Sequence, residues 1–189
     1  MSYKTDTFNT TRYSFRLVPL DDEKYSYRAD RMTSELCFYK KIMFSKEEAL
    51  QLKKDFWIAF AAAYPRKWLL YNTKIKDVTF KFYVDNKKAQ VLLDIEPKDE
   101  NKRTIYYEKV ESLKSILLED YLEDAIFERN FYLENGKIIS RVWVKKTGIS
   151  INNKNTWEAI FDFFNEKMDT FERFFYENED YIKDLEINT

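Results

Sequence analysis

Val78-Thr79-Phe80-Lys81-Phe82-Tyr83-Val84-Asp85-Asn86-Lys87-Lys88-Ala89-Gln90-Val91-Leu92-Leu93-Asp94-Ile95 is the stretch from which the fold is read. Val78, Phe80, Phe82 and Val84 alternate with Thr79, Lys81 and Tyr83, so an extended chain here has one apolar face. Asp85 to Lys88 is rich in turn formers. Ala89, Val91, Leu93 and Ile95 then return with the same period, and Pro97 stops the run. Two strands joined by so short a turn pair antiparallel.

On the N-terminal side, Ser45-x-x-Glu48 has the form of a capping box that opens a helix. Ala49, Leu52, Phe56, Ala59, Phe60 and Ala63 follow at helical spacing until Pro65. Lys67 to Asn72 predicts a short strand. On the C-terminal side, Tyr106, Val110, Leu113 and Leu117 form the stripe of a helix over about 103–121. Residues 126–133 and 138–145 read as strands about Asn135-Gly136, a type I′ turn signal. That turn pairs Tyr132 with Ile139, Asn130 with Arg141, Glu128 with Trp143 and Ile126 with Lys145. Asn155, with Glu158 three residues on, caps a last helix whose stripe is Trp157, Ile160, Phe161, Phe164, Met168, Phe171 and Phe175. The expected fold is α+β, in the order α-β-β-β-α-β-β-α: an antiparallel-rich sheet of about five strands with three helices packed on it. Residues 43–189 form the domain. Residues 1–42 form an N-terminal extension, either an added edge strand through Tyr13, Phe15 and Leu17 or a poorly ordered leader.

Composition narrows the chemistry. The chain of 189 residues has no histidine, one cysteine and two glycines. Imidazole catalysis, thiolate metal clusters, intrachain disulfides and Gly-rich phosphate loops are therefore excluded. No apolar run approaches the roughly 20 residues that cross a bilayer, and the N-terminal MSYKTDTFNTTRYSF lacks a signal-peptide core. The cytoplasm is the expected location, and no membrane partner is expected. Net charge is −1 but unevenly spread: residues 40–103 carry +6 and residues 104–189 carry −7. Either a basic binding face or two solvated faces side by side produces this pattern.

Three sets of residues are candidates for function. Asp77, at the start of one strand, and Glu96 and Lys98, at the end of its partner, are brought together by the hairpin. An acid facing an acid-x-Lys resembles the Mg²⁺ site of restriction-endonuclease-like nucleases, in which two carboxylates hold the ion and the lysine helps position water. Solvent-facing charge at a strand end accounts for the same residues, and Mg²⁺ is expected only if the nuclease reading holds. Asp94 falls on the polar face, exposed or paired with a lysine. Arg141, Trp143 and Lys145 share one strand face, where an aromatic ring between two cations suits a stacked base and its phosphate, or an ordinary shielded tryptophan. Lys53-Lys54, with Lys40-Lys41, Arg66-Lys67 and Lys87-Lys88, are paired cations that attract phosphate where they share a face.

FSKEEALQLKKDFW (44–57), YVDNKKAQVLLDIE (83–96), ENGKIISRVW (134–143) and Asn153-Lys-Asn-Thr-Trp157 together resemble an uncharacterised bacterial domain family, over about residues 43–187. Its members stand alone in Bacteroidetes-type bacteria or are fused C-terminal to restriction-endonuclease-like domains. The resemblance carries over no catalytic residue: an acid matches Asp94, but no acid-x-Lys matches Glu96 to Lys98. It implies a role beside nucleic acid. The expected function is a non-catalytic binding module of a nucleic-acid-processing or defence system, without a cofactor. The alternatives are the Mg²⁺-dependent nuclease and a protein-binding module or homodimer formed through the aromatic last helix.

Overall fold

The computed structural model describes residues 31–184. The chain divides into two compact units, residues 1–51 and 52–189. Helix α1, Arg31–Ala63, contributes residues 31–51 to the first and 52–63 to the second. The helix runs unbroken through Ser45, so the capping box does not start it. No glycine or proline lies between Arg31 and Ala63, and propagating an existing helix is easier than nucleating a new one.

The second unit contains β1 (Val78–Val84), β2 (Lys88–Ile95), α2 (Glu100–Ser112), the short α3 (Lys114–Ile116), β3 (Ile126–Tyr132), β4 (Ile138–Thr147), α4 (Trp157–Glu177) and α5 (Glu179–Lys183). The fold is α+β, with one antiparallel sheet in the order β1-β2-β4-β3. The described residues contain four strands rather than five. The expected strand over 67–72 is a loop, because Leu70 takes φ +36 and breaks the extended run. Phe80 N–H bonds the Leu70 carbonyl at 2.9 Å, and Leu70 packs against the core.

β1 and β2 pair antiparallel, as expected, with Val78 opposite Ile95 and Phe82 opposite Val91. The inward side chains Phe80, Val91, Leu93 and Val142 join Tyr107 and Val110 of α2 and Ile160, Phe164, Phe171 and Phe175 of α4 in one core. Phe80 lies 5.7 Å from Phe171 and 5.6 Å from Phe175, and Phe82 lies 4.8 Å from Phe164. Burying each such ring contributes about 1.5–3 kcal/mol. The stripe predicted for α4 is buried throughout, and it is widened by Phe163 and Phe174.

The second hairpin differs from expectation. Leu133 N–H bonds the Lys137 carbonyl (2.9 Å) and Gly136 N–H bonds the Leu133 carbonyl (2.8 Å), with Gly136 at φ +81. This is a three-residue loop closed by a left-handed glycine, not a two-residue type I′ turn. A bulge then places Arg129 and Asn130 opposite Ser140. Together they slide the register by two residues, so Glu128 faces Arg141 and Ile126 faces Trp143. Arg103 of α2, 5% exposed, fills the bulge. It donates to the Arg129 carbonyl (2.6 Å), Asn130 Oδ1 (3.1 Å) and Ser140 Oγ (2.9 Å). Two helix ends also move. Asp99 caps α2 at Glu100, three residues before the predicted start, and the helix breaks at Leu113 and passes into a π-turn over Leu117–Tyr121. Asn153 caps a short 3₁₀ turn that leads into α4.

Candidate anion-binding site

The loop from Tyr64 to Asp77 is fixed by its contacts with α4 and with itself. Arg66 bonds Asp169 (2.6 Å) and Glu172, and its guanidinium stacks 4.1 Å over Trp68. Leu69 N–H donates to Glu172 at 2.5 Å. Burial raises the pKa of Glu172, against the lowering pull of Leu69 N–H and Arg66. Thr73 is fully buried, and its hydroxyl donates to the Val78 carbonyl at 2.6 Å. So anchored, the backbone holds Lys74 at φ +59 and Asp77 at φ +63, conformations that cost a non-glycine residue on the order of 1 kcal/mol.

This loop forms one wall of a cavity of about 570 Å³, lined by Lys76 and Asp77 on that side. The opposite wall is Pro97-Lys98-Asp99 with Lys102 and Tyr106 of α2. The Glu96 N–H to Asp77 carbonyl bond (2.7 Å) joins the two walls at their base. Asp99 is occupied as the helix cap, accepting from Asn101 N–H (2.9 Å) and Lys102 N–H (3.3 Å). Burial raises the pKa of Tyr106 above its ordinary value. Among the described residues, Lys76, Lys98, Lys102 and Asp77 have no side-chain hydrogen bond or ion pair. Three cationic side chains without carboxylate partners therefore share one concavity with the carboxylates of Asp77 and Asp99, and the surplus of positive charge favours anions.

The residues of the nuclease reading have different surroundings. Asp77 and Lys98 line the cavity, but Glu96 is not among its walls. The period of two along β2 puts Asp94 and Glu96 on the sheet face opposite Ile95. There Glu96 is bonded by Lys137 (2.8 Å) and Lys81. Burial opposes its ionisation, but these two ammonium groups outweigh burial and hold its carboxyl below the usual range. Asp94, 1% exposed, is clamped by Arg141 (2.5 and 2.8 Å) and Lys81 (3.0 Å). Among the described residues no group of three or more Asp, Glu, Cys or His is placed to hold a metal ion.

The same face engages two of the residues expected to bind. Arg141 is held by Asp94 and stacks 4.1 Å over Phe131. Trp143 is 8% exposed and meets Phe131 edge-on at 5.8 Å. Lys53, Lys54 and Lys145 are exposed. The residues that sequence reasoning missed are Lys76, Lys102 and Tyr106. A signal for them exists: pairing Val78 with Ile95 places Lys76-Asp77 beside Pro97-Lys98, within the segment of charge +6.

No described helix is long and apolar enough to cross a membrane. No curated protein and no solved structure matches the chain. A family model does match, over residues 52–179, which takes in the sheet, both long helices of the second unit and every wall of the cavity. With more than half of its length so matched, the chain belongs to the family described as Domain of unknown function (DUF4268).

Proposed function

We propose that the domain is a non-catalytic module that binds nucleic acid through phosphates held at the cavity between the 73–77 loop and α2. The observation that carries this reading is that Lys76, Lys98 and Lys102, all exposed and without described partners, line one concave surface. Unpaired ammonium groups bind phosphate by releasing condensed counterions. Glu96 is engaged by Lys137 and Lys81 and does not line the cavity, which favours binding over metal-assisted cleavage. The sequence resemblance, which implies bacterial members fused to restriction-endonuclease-like domains, is the ground for placing the module in a nucleic-acid-processing or defence system.

Fluorescence anisotropy of a labelled single strand across a salt series tests the reading. Each phosphate contact on a single strand contributes roughly 0.7 to the slope of log K against log salt. The triple variant Lys76→Ala, Lys98→Ala, Lys102→Ala is expected to lower the slope by about 2. Lys53→Ala, Lys54→Ala and Lys145→Ala measure how far the footprint extends beyond the cavity. A triple variant that folds and binds with the wild-type slope sinks the proposal.

A further inference from the structure

A cavity built only to hold phosphate has no use for a carboxylate, because the negative charge of Asp77 opposes the attraction of the three lysines. Asp77 nevertheless lines the same wall as Lys76, and no described residue pairs with it. A carboxylate at neutral pH is an acceptor only. Its chemical complement is therefore a ligand that carries hydrogen-bond donors close to its phosphates. The 2′-hydroxyl of ribose is such a donor, recurs at every nucleotide and is missing from DNA. The cavity volume of about 570 Å³ lies within the range of about 300–1,000 Å³ typical of small-ligand sites, so it has room for a nucleotide unit. The left-handed backbone at Asp77, φ +63, and the bond from Glu96 N–H to its carbonyl fix the carboxylate's attachment point before any ligand arrives.

We infer that the cavity reads ribose: Asp77 accepts the 2′-hydroxyl of a nucleotide whose phosphates lie on Lys76, Lys98 and Lys102, so the domain selects RNA over DNA. This inference rests on the phosphate-binding reading above. A charge-assisted hydrogen bond of this kind discriminates by about tenfold or more.

The test uses the full chain with oligouridylate and oligodeoxyuridylate of equal length, read by anisotropy at one salt concentration. The wild type is expected to bind the RNA about tenfold tighter. Asp77→Gly, which fits the positive φ without strain, is expected to remove that ratio while DNA affinity holds or rises. Thermal melting confirms that the variant folds, and Asp77→Asn, also suited to this backbone, serves as a second variant with a reduced ratio. Equal wild-type affinity for the two strands, or an Asp77→Gly variant that gains on both strands and keeps the ratio, overturns the ribose assignment. If Lys98→Ala leaves both affinities unchanged, the phosphate reading has failed instead.

Discussion

Replacing Asp94 with asparagine tests how strongly the central sheet depends on one buried charge. The carboxylate is 1% exposed and sits between the Arg141 guanidinium, bound through two oxygens, and the Lys81 ammonium. The Arg141 side chain is 11% exposed and that of Lys81 is 30% exposed. Asparagine keeps the shape but leaves Arg141 as a buried cation without a counter-charge. Removing one partner from a buried pair costs about 3–5 kcal/mol. Lys81 can turn toward water, so the lower figure, about 3 kcal/mol, applies. With a urea slope of about 2 kcal/mol per M, the unfolding midpoint falls by about 1.5 M. Adding Arg141→Met to Asp94→Asn removes the stranded cation. The double variant is then expected to recover at least about 1 kcal/mol relative to the sum of the single changes. A loss below about 1 kcal/mol for Asp94→Asn, or strict additivity in the double variant, would refute the reasoning.

Two further outcomes follow from buried polar groups. Arg103→Met keeps the side-chain volume but strips the donors from the Arg129 carbonyl, Asn130 and Ser140. It is expected to cost about 2–3 kcal/mol, and hydrogen exchange should accelerate selectively at residues 128–132; uniform exchange across the sheet would contradict the role given to Arg103. Glu172 is a carboxyl whose folded pKa is raised, mainly by burial, above its reference of 4.5. Its contribution to stability is full below about pH 4.5 and is lost as pH rises through the folded value. Glu172→Gln should therefore destabilise more at pH 4.5 than at pH 7 in chemical denaturation, and the opposite order would contradict the raised pKa.

The β1–β2 hairpin is legible in the sequence because its apolar face packs on the core, with only Phe82 half-buried, and a slip of one residue would turn that face away from the core. The stripe of α4 is legible for a similar reason. The β3–β4 register is not, because Asn-Gly is compatible with more than one loop length and the bulge depends on Arg103, 26 residues before Arg129. The strand expected over 67–72 fails at Leu70, where contacts with α4 distant in sequence hold a loop. At the candidate site, Asp77 and Lys98 stand out from their hairpin positions. Glu96 looks equivalent to Lys98 in sequence, yet Glu96 continues the polar face of β2, where Lys137 and Lys81 take it up, whereas Lys98 lies beyond Pro97, after the strand has ended at Ile95. Arg141 and Trp143 look available for the converse reason: their partners, Asp94 and Phe131, lie on other strands.

The placement of the four tryptophans gives the protein its own optical probes. Trp57, Trp68 and Trp157 belong to the aromatic layer on the helical side, with Trp57 stacked on Phe164 at 6.0 Å and Trp157 edge-on to Phe56 at 5.3 Å. Trp143 lies across the sheet from them, beside the Asp94–Arg141 clamp. Emission from Trp143→Phe therefore reports the helical layer alone, and its difference from wild type isolates the opposite face. One spectrometer can thus follow the two faces of the sheet separately during unfolding, without an attached dye.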